Sequence, residues 1–199
     1  MRSKGTITLV VFAVLLGLAG CGATSSYNSL VQVDERVKTA WSNVETQYQR
    51  RADLIPNLVE TVQGAADFEK ETLQSVTEAR AKATSIQVSA DDLDDPQRLQ
   101  QFQQAQSALG QSLGRLLAVS ENYPKLQATQ AFSDLQAQLE GTENRIAVAR
   151  RDYNEAVRQY NTQVRSFPTV LFAQIMGFSS RTAFEAETGA DQAPDVSFD

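Results

Sequence analysis

"FSDLQAQLEGTENRIAVARRDYNEAVRQYNTQVRSF", residues 132–167, places Phe132, Leu139, Ile146, Tyr153, Tyr160 and Phe167 at every seventh position. A sustained seven-residue apolar repeat keeps one stripe of a helix facing a neighbour, as in the seam of a helical bundle. Polar side chains fill most of the remaining positions, so the rest of the circumference suits water. The stretch predicts one long helix that cannot bury its stripe alone.

Its partner lies near the start of the chain. Tyr27, Leu30, Val37, Trp41, Val44, Tyr48, Ile55, Leu58 and Val62 fall at alternating three- and four-residue steps, interrupted only by the polar Asp34 and Arg51. Between the two long segments, Leu73, Val76, Ala79, Ala83 and Ile86 mark a helix from Asp67, its N-cap, to about Gln87. Another follows Asp95-Pro96, an N-cap with proline at the first helical position, and carries Phe102, Leu109, Leu116 and Tyr123 before Pro124 closes it. No stretch alternates at period two long enough to make a strand. The fold class is all-α, a long antiparallel up-down four-helix bundle with a short C-terminal fifth helix. The outer helices, at about 40 residues, span ~60 Å, and the middle two only ~32 to 40 Å. The four-helix part should therefore sit at the end away from the N-terminus, beyond a two-helix stalk. Residues 166–178, "SFPTVLFAQIMGF", are the candidate cover for that stalk. They either pack on it or enter a lipid leaflet.

"RRADLIPNLVETV", residues 50–62, raises a separate question. Proline inside a helix costs ~3 kcal/mol, and Pro56 sits within the apolar frame. Asp53, three residues earlier, is placed to accept from amides freed at a bend that wraps the helix around the bundle. If Tyr27 lies near Phe167 and Val62 near Phe132, Arg51 falls opposite Glu143, with Glu140 also within reach. Arg50, Asn57, Asn144, Arg150 and Tyr153 complete the set of structural or partner-binding candidates on these two helices.

The first twenty residues are set apart from the bundle. Arg2 and Lys4 precede the apolar run Thr6–Gly20, and "LAGC" ends at Cys21, the chain's one cysteine. This resembles a bacterial lipobox, which implies diacylglycerol on the Cys21 thiol, palmitate-type acylation and cleavage before it. The division expected is residues 1–20 as a lipoprotein signal peptide, 21–26 as a lipidated tether, 27–178 as the bundle and 179–199 as an acidic, partly ordered tail. Phe184, Val196 and Phe198 are the tail's anchoring side chains. Fifteen apolar residues fall short of the ~20 that span hydrocarbon.

Charge and composition narrow the chemistry. Net charge is −6 and moves to −8 once Arg2 and Lys4 are removed with residues 1–20. An acidic chain gains nothing from phosphate counterion release, so nucleic acid is not an expected partner. The chain contains no histidine, which excludes Ser-His-Asp triads and His-containing zinc sites. "DDLDD", residues 91–95, lacks the ligand spacing of an EF-hand and reads as a solvated loop. No catalytic residue, metal or cofactor is expected. The competing expectation is a carboxylate-based hydrolase or small-ligand receptor, which needs an enclosed pocket lined by Asp53, Asn57, Glu140 and Glu143.

Three long stretches carry a family resemblance: "YNSLVQVDERVKTAWSNVETQYQRRADLIPNLVETVQG", "SLGRLLAVSENYPKL" and "LEGTENRIAVARRDYNEAVRQYNTQVRSFP". With the ending "FEAETGADQAP", they resemble the LemA family of bacterial proteins from Tyr27 to Phe198. The resemblance implies an envelope-associated helical bundle without assigned catalytic residues, and a membrane protein with a TPM domain as a partner. Many relatives keep an uncleaved N-terminal membrane helix where this chain has Leu-Ala-Gly-Cys. The expected role is a lipid-anchored scaffold of the bacterial envelope, facing the periplasm or the exterior.

Overall fold

A computed structural model describes residues 2–64 and 68–185, though for most residues before Thr24 only the backbone is described. The elements are α1 (Arg2–Gln63), α2 (Lys70–Ser85), α3 (Pro96–Ser120), the one-turn α4 (Pro124–Gln127), α5 (Gln130–Arg165) and the one-turn α6 (Val170–Ala173). A 3-10 turn, Ala90–Asp92, lies between α2 and α3. No strand occurs among the described residues, and the molecule is the helical bundle the repeats predict.

α1 and α5 pair along their lengths, while α2 and α3 pair with each other and α2 leans on α1. The core divides into two clusters along this axis. The distal one joins Ile55, Leu58 and Val62 of α1 to Leu73 and Val76 of α2, Leu109 and Leu116 of α3, and Phe132 and Leu139 of α5. The proximal one is built on Leu30, Val37, Trp41, Val44, Tyr153, Val157 and Tyr160, all from α1 and α5. Four helices thus meet at the end away from the N-terminus, as their lengths require. The proximal pair is covered differently. Val88 and Leu93 from the α2–α3 connection, Leu99 and Phe102 from early α3, Ala173 from α6 and Phe184 from the tail close it.

Several boundaries depart from the periodic pattern. α1 runs without a break through residues 22–26, where a tether is expected. The N-cap position of α2 is Glu69, and Asp67 lies outside the described residues. α3 stops at Ser120, so Tyr123 leaves the seam and packs on Phe68 at 4.9 Å. Pro124 opens α4 instead of merely closing α3, because proline suits a first helical turn. α5 starts behind Thr129, whose side chain accepts from the Phe132 amide. It ends at Arg165, and Phe167 is 81 % exposed although it continues the seven-residue repeat. Pro168 explains the early stop: it has no amide to donate, and it disfavours helical geometry at the residue before it. Asp95 caps α3 as expected, accepting from the amides of Gln97 and Arg98. Among the described residues, no helix is long and apolar enough to cross a membrane.

Candidate functional site

The two polar interruptions of the α1 stripe become the two polar centres of the bundle. Arg51 is 3 % exposed. Its Nη1 donates to Glu143 Oε1 at 2.9 Å, and its Nη2 donates to both the main-chain oxygen (3.0 Å) and the Oε1 (2.6 Å) of Gln106. The guanidinium also lies over the Tyr48 ring, 5.1 Å from its centre. One side chain therefore ties α1 to α3 and α5. Above it opens a polar groove of about 340 Å³, whose lining includes Gln103, Gly110 and Arg150.

Asp34 is the second centre. It is buried, with one carboxylate oxygen 3.0 Å from Lys38 Nζ and the other accepting from Arg181 Nη2 at 3.1 Å. The hydrogen bonds from Lys38 to Asp34 and Glu35 raise the lysine's pKa. Arg181 belongs to the tail, which continues upward along α5 in an extended run. Asn161 grips it by both main-chain groups: Arg181 N donates to its Oδ1, and its Nδ2 donates to Arg181 O, each at 2.8 Å. Asn154 repeats the grip on Phe184 at 2.9 and 3.1 Å. Seven helical residues rise ~10 Å, and three extended residues cover ~10 Å, so the two spacings match. Between the grips, the Tyr153 hydroxyl donates to Thr182 O at 2.7 Å. Burial raises the phenol's pKa, which keeps it a donor. Phe184 then stacks on Trp41 at 5.8 Å, with the Arg150 guanidinium 4.9 Å above its ring.

A third arrangement explains the proline. Pro56 has no amide, which frees the Ala52 carbonyl one turn earlier. Arg80 Nε of α2 donates to that oxygen at 2.8 Å. Asp53, expected to accept freed amides, instead takes a bond from the Gln49 side chain. The freed group is a carbonyl, so a cation answers it.

The predicted site residues separate accordingly. Arg51 and Glu143 meet, and Arg150 and Tyr153 join the tail dock. Arg50, Asp53, Pro56, Asn57, Glu140 and Asn144 are exposed. Glu140 pairs locally with Gln136, and Asn144 lines a shallow groove with Asn43 and Gln47. Asp53, Asn57, Glu140 and Glu143 are all exposed rather than lining an enclosed pocket, and the seam beside Pro56 is packed by Ile55 and Leu58. Gln106, Arg80, Asn154 and Asn161 carry the polar contacts that spacing did not single out. An asparagine pair seven apart on one helix was the legible signal for two of them. In the acidic loop, the Ser89 hydroxyl and amide, with Arg98 behind them, lower the pKa of the Asp92 carboxyl. Asp94 accepts from Ser179. Among the described residues, no three metal-ligating side chains cluster. The Cys21 side chain, Val196 and Phe198 lie outside the described residues.

The chain is also similar in sequence to known proteins. The chain is 27 % identical over 181 residues to magnetosome protein MamQ 2 of Paramagnetospirillum magneticum, covering 83 % of this chain and 66 % of that protein, just under two thirds. Against magnetosome protein MamQ of Magnetospirillum gryphiswaldense, identity is 26 % over 206 residues, covering 94 % and 76 % of the two chains. Protein LemA of Metamycoplasma hominis is 24 % identical over 178 residues, covering 89 % and 77 %. The family model described as LemA family matches residues 40–198, a span that takes in Arg51, the Pro56 turn, the Asn154–Asn161 dock and the tail; this helical scaffold belongs to the LemA family.

Proposed function

We propose that the protein is a membrane-anchored scaffold of the bacterial envelope that presents its distal four-helix head to a membrane-protein partner. One observation carries this reading. α1 continues as a single helix from Cys21 to the distal core, paired with α5 over its bundled length. A helix so supported transmits position over its length: residues 27 to 63 rise ~55 Å. Family membership and the likeness to magnetosome proteins support a membrane-associated envelope setting. The Leu-Ala-Gly-Cys motif supports lipid attachment at Cys21. Acyl chains there contribute ~0.8 kcal/mol per buried methylene, and two chains hold a protein stably. In the mature chain the helix would begin at that cysteine.

The reading assigns no reaction to the protein. Its polar centres are spent on holding helices and tail together, and the head, with its Gly64 and Pro124 turns, carries the contact surface. The test is photocrosslinking in living cells from exposed head positions, Gln63 and Glu121. The expected result is an adduct with the same membrane protein from both positions. Absence of an adduct from either contradicts the scaffold reading.

A further inference from the structure

The loop that follows α5 presents apolar side chains to solvent at the base of the rod. Phe167 is 81 % exposed, Val170 40 %, Leu171 58 % and Ile175 85 %. The inner side of the same loop is fastened. Thr169 and Ala173 are buried, and Phe178 meets the Tyr27 ring edge-on at 5.9 Å. The exposure is thus the outer face of a docked segment, because the inner face is already fixed to α1 and α5. Contiguous exposed apolar surface of this kind marks a contact surface.

The register fixes where this face lies. Gln163 donates to Ser29 across the α1–α5 pair, and α5 ends two residues later. The loop therefore projects past the end of the bundle, on the side from which α1 continues to Cys21 and the apolar run Thr6–Gly20. Tyr27 is six residues above Cys21, or ~9 Å of helix. A lipid held at Cys21 therefore leaves only ~9 Å between the leaflet surface and the end of the bundle, the interval into which the loop projects, and interfacial segments reach a further ~5 to 10 Å into the headgroup–acyl boundary. Charge agrees with this placement. Residues 166–180 contain no charged side chain in an otherwise acidic protein, and the exposed Arg165 stands at the start of the run. Water-facing Phe, Leu and Ile beside an arginine suit an anionic headgroup layer with hydrocarbon beneath it.

We propose that residues 167–175 form a wedge inserted into the lipid leaflet, a second membrane contact beside the N-terminal anchor. The inference rests on the anchored reading above. Two attachments in place of one fix the tilt of the rod and hold its head at a set distance from the bilayer.

The experiment uses the full chain purified from membranes and reconstituted into phosphatidylethanolamine and phosphatidylglycerol vesicles whose acyl chains carry bromine near the headgroup. Trp41, the one native tryptophan, is buried in the bundle and gives the unquenched baseline. Leu171→Trp and Ile175→Trp alter exposed positions, so folding is retained in at least one of them, checked by circular dichroism. Added emission from these positions should fall by about half, as expected for a ring at interfacial depth. Val148→Trp, exposed on the side of α5, should show no loss. Protein that stays with the vesicles while positions 171 and 175 remain unquenched overturns the wedge and leaves the anchor standing. Protein that does not stay with the vesicles overturns the anchored reading and the wedge with it.

Discussion

Arg51 is a cation placed where the α1 stripe asks for an apolar side chain, and its partners explain its presence. Its contact with Glu143 follows from the register of two seven-residue repeats, so this part was legible in spacing alone. Its two bonds to Gln106 were not, because nothing in the spacing fixes how α3 sits over the α1–α5 pair. Asp34 follows the same rule: its frame position was visible, but its partner Arg181 comes from an extended tail that has no period to read. These contacts differ in strength. Glu143 is half exposed, with 49 % of its side chain open to solvent, so water screens that pair, whereas the Gln106 bonds are buried. Arg51→Ala is expected to cost about 3 kcal/mol, by leaving the buried Gln106 Oε1 without its donor and removing a guanidinium packed on the Tyr48 ring. Glu143→Ala should cost about 1 kcal/mol or less. A double-mutant cycle by denaturant unfolding should give a coupling above ~0.5 kcal/mol between them. Strict additivity would show that the contact contributes nothing to the fold.

At the scale of helices, Pro56 and Arg80 act as one device. The proline removes an amide from α1, and α2 supplies a donor to the carbonyl left behind. This locks α2 against α1 at a chosen height. Sequence reading located the proline but aimed the compensation at Asp53, since the lost group is visible in sequence and the donor on another helix is not. Arg80→Ala should destabilise the protein by about 2 kcal/mol, the range of a charge-assisted hydrogen bond. In a Pro56→Ala background the main-chain amide can reach Ala52 itself, so the same change should cost about half as much. Equal losses in both backgrounds, measured by chemical denaturation, would separate the two residues. The end of α5 illustrates a related limit. The repeat predicted Phe167 inside the seam, but Pro168 stops the helix first and turns that side chain outward.

For the whole molecule, the helix lengths alone predicted a four-helix end and a two-helix end, and the two core clusters follow that division. What length could not show is how the two-helix end is closed. That closure uses an irregular connection, a one-turn helix and a tail held by Asn154 and Asn161, none of which has a repeat. The resulting rod has a packed head at one end and, at the other, an apolar loop beside the helix leading to Cys21. Its proposed role depends on that lower end being fixed to a membrane. Intact mass measurement of the protein extracted from the native membrane addresses this most directly. The account predicts a chain whose first residue is Cys21, carrying a thioether-linked diacylglycerol. A chain that retains residues 1–20 with an unmodified Cys21 thiol would contradict it.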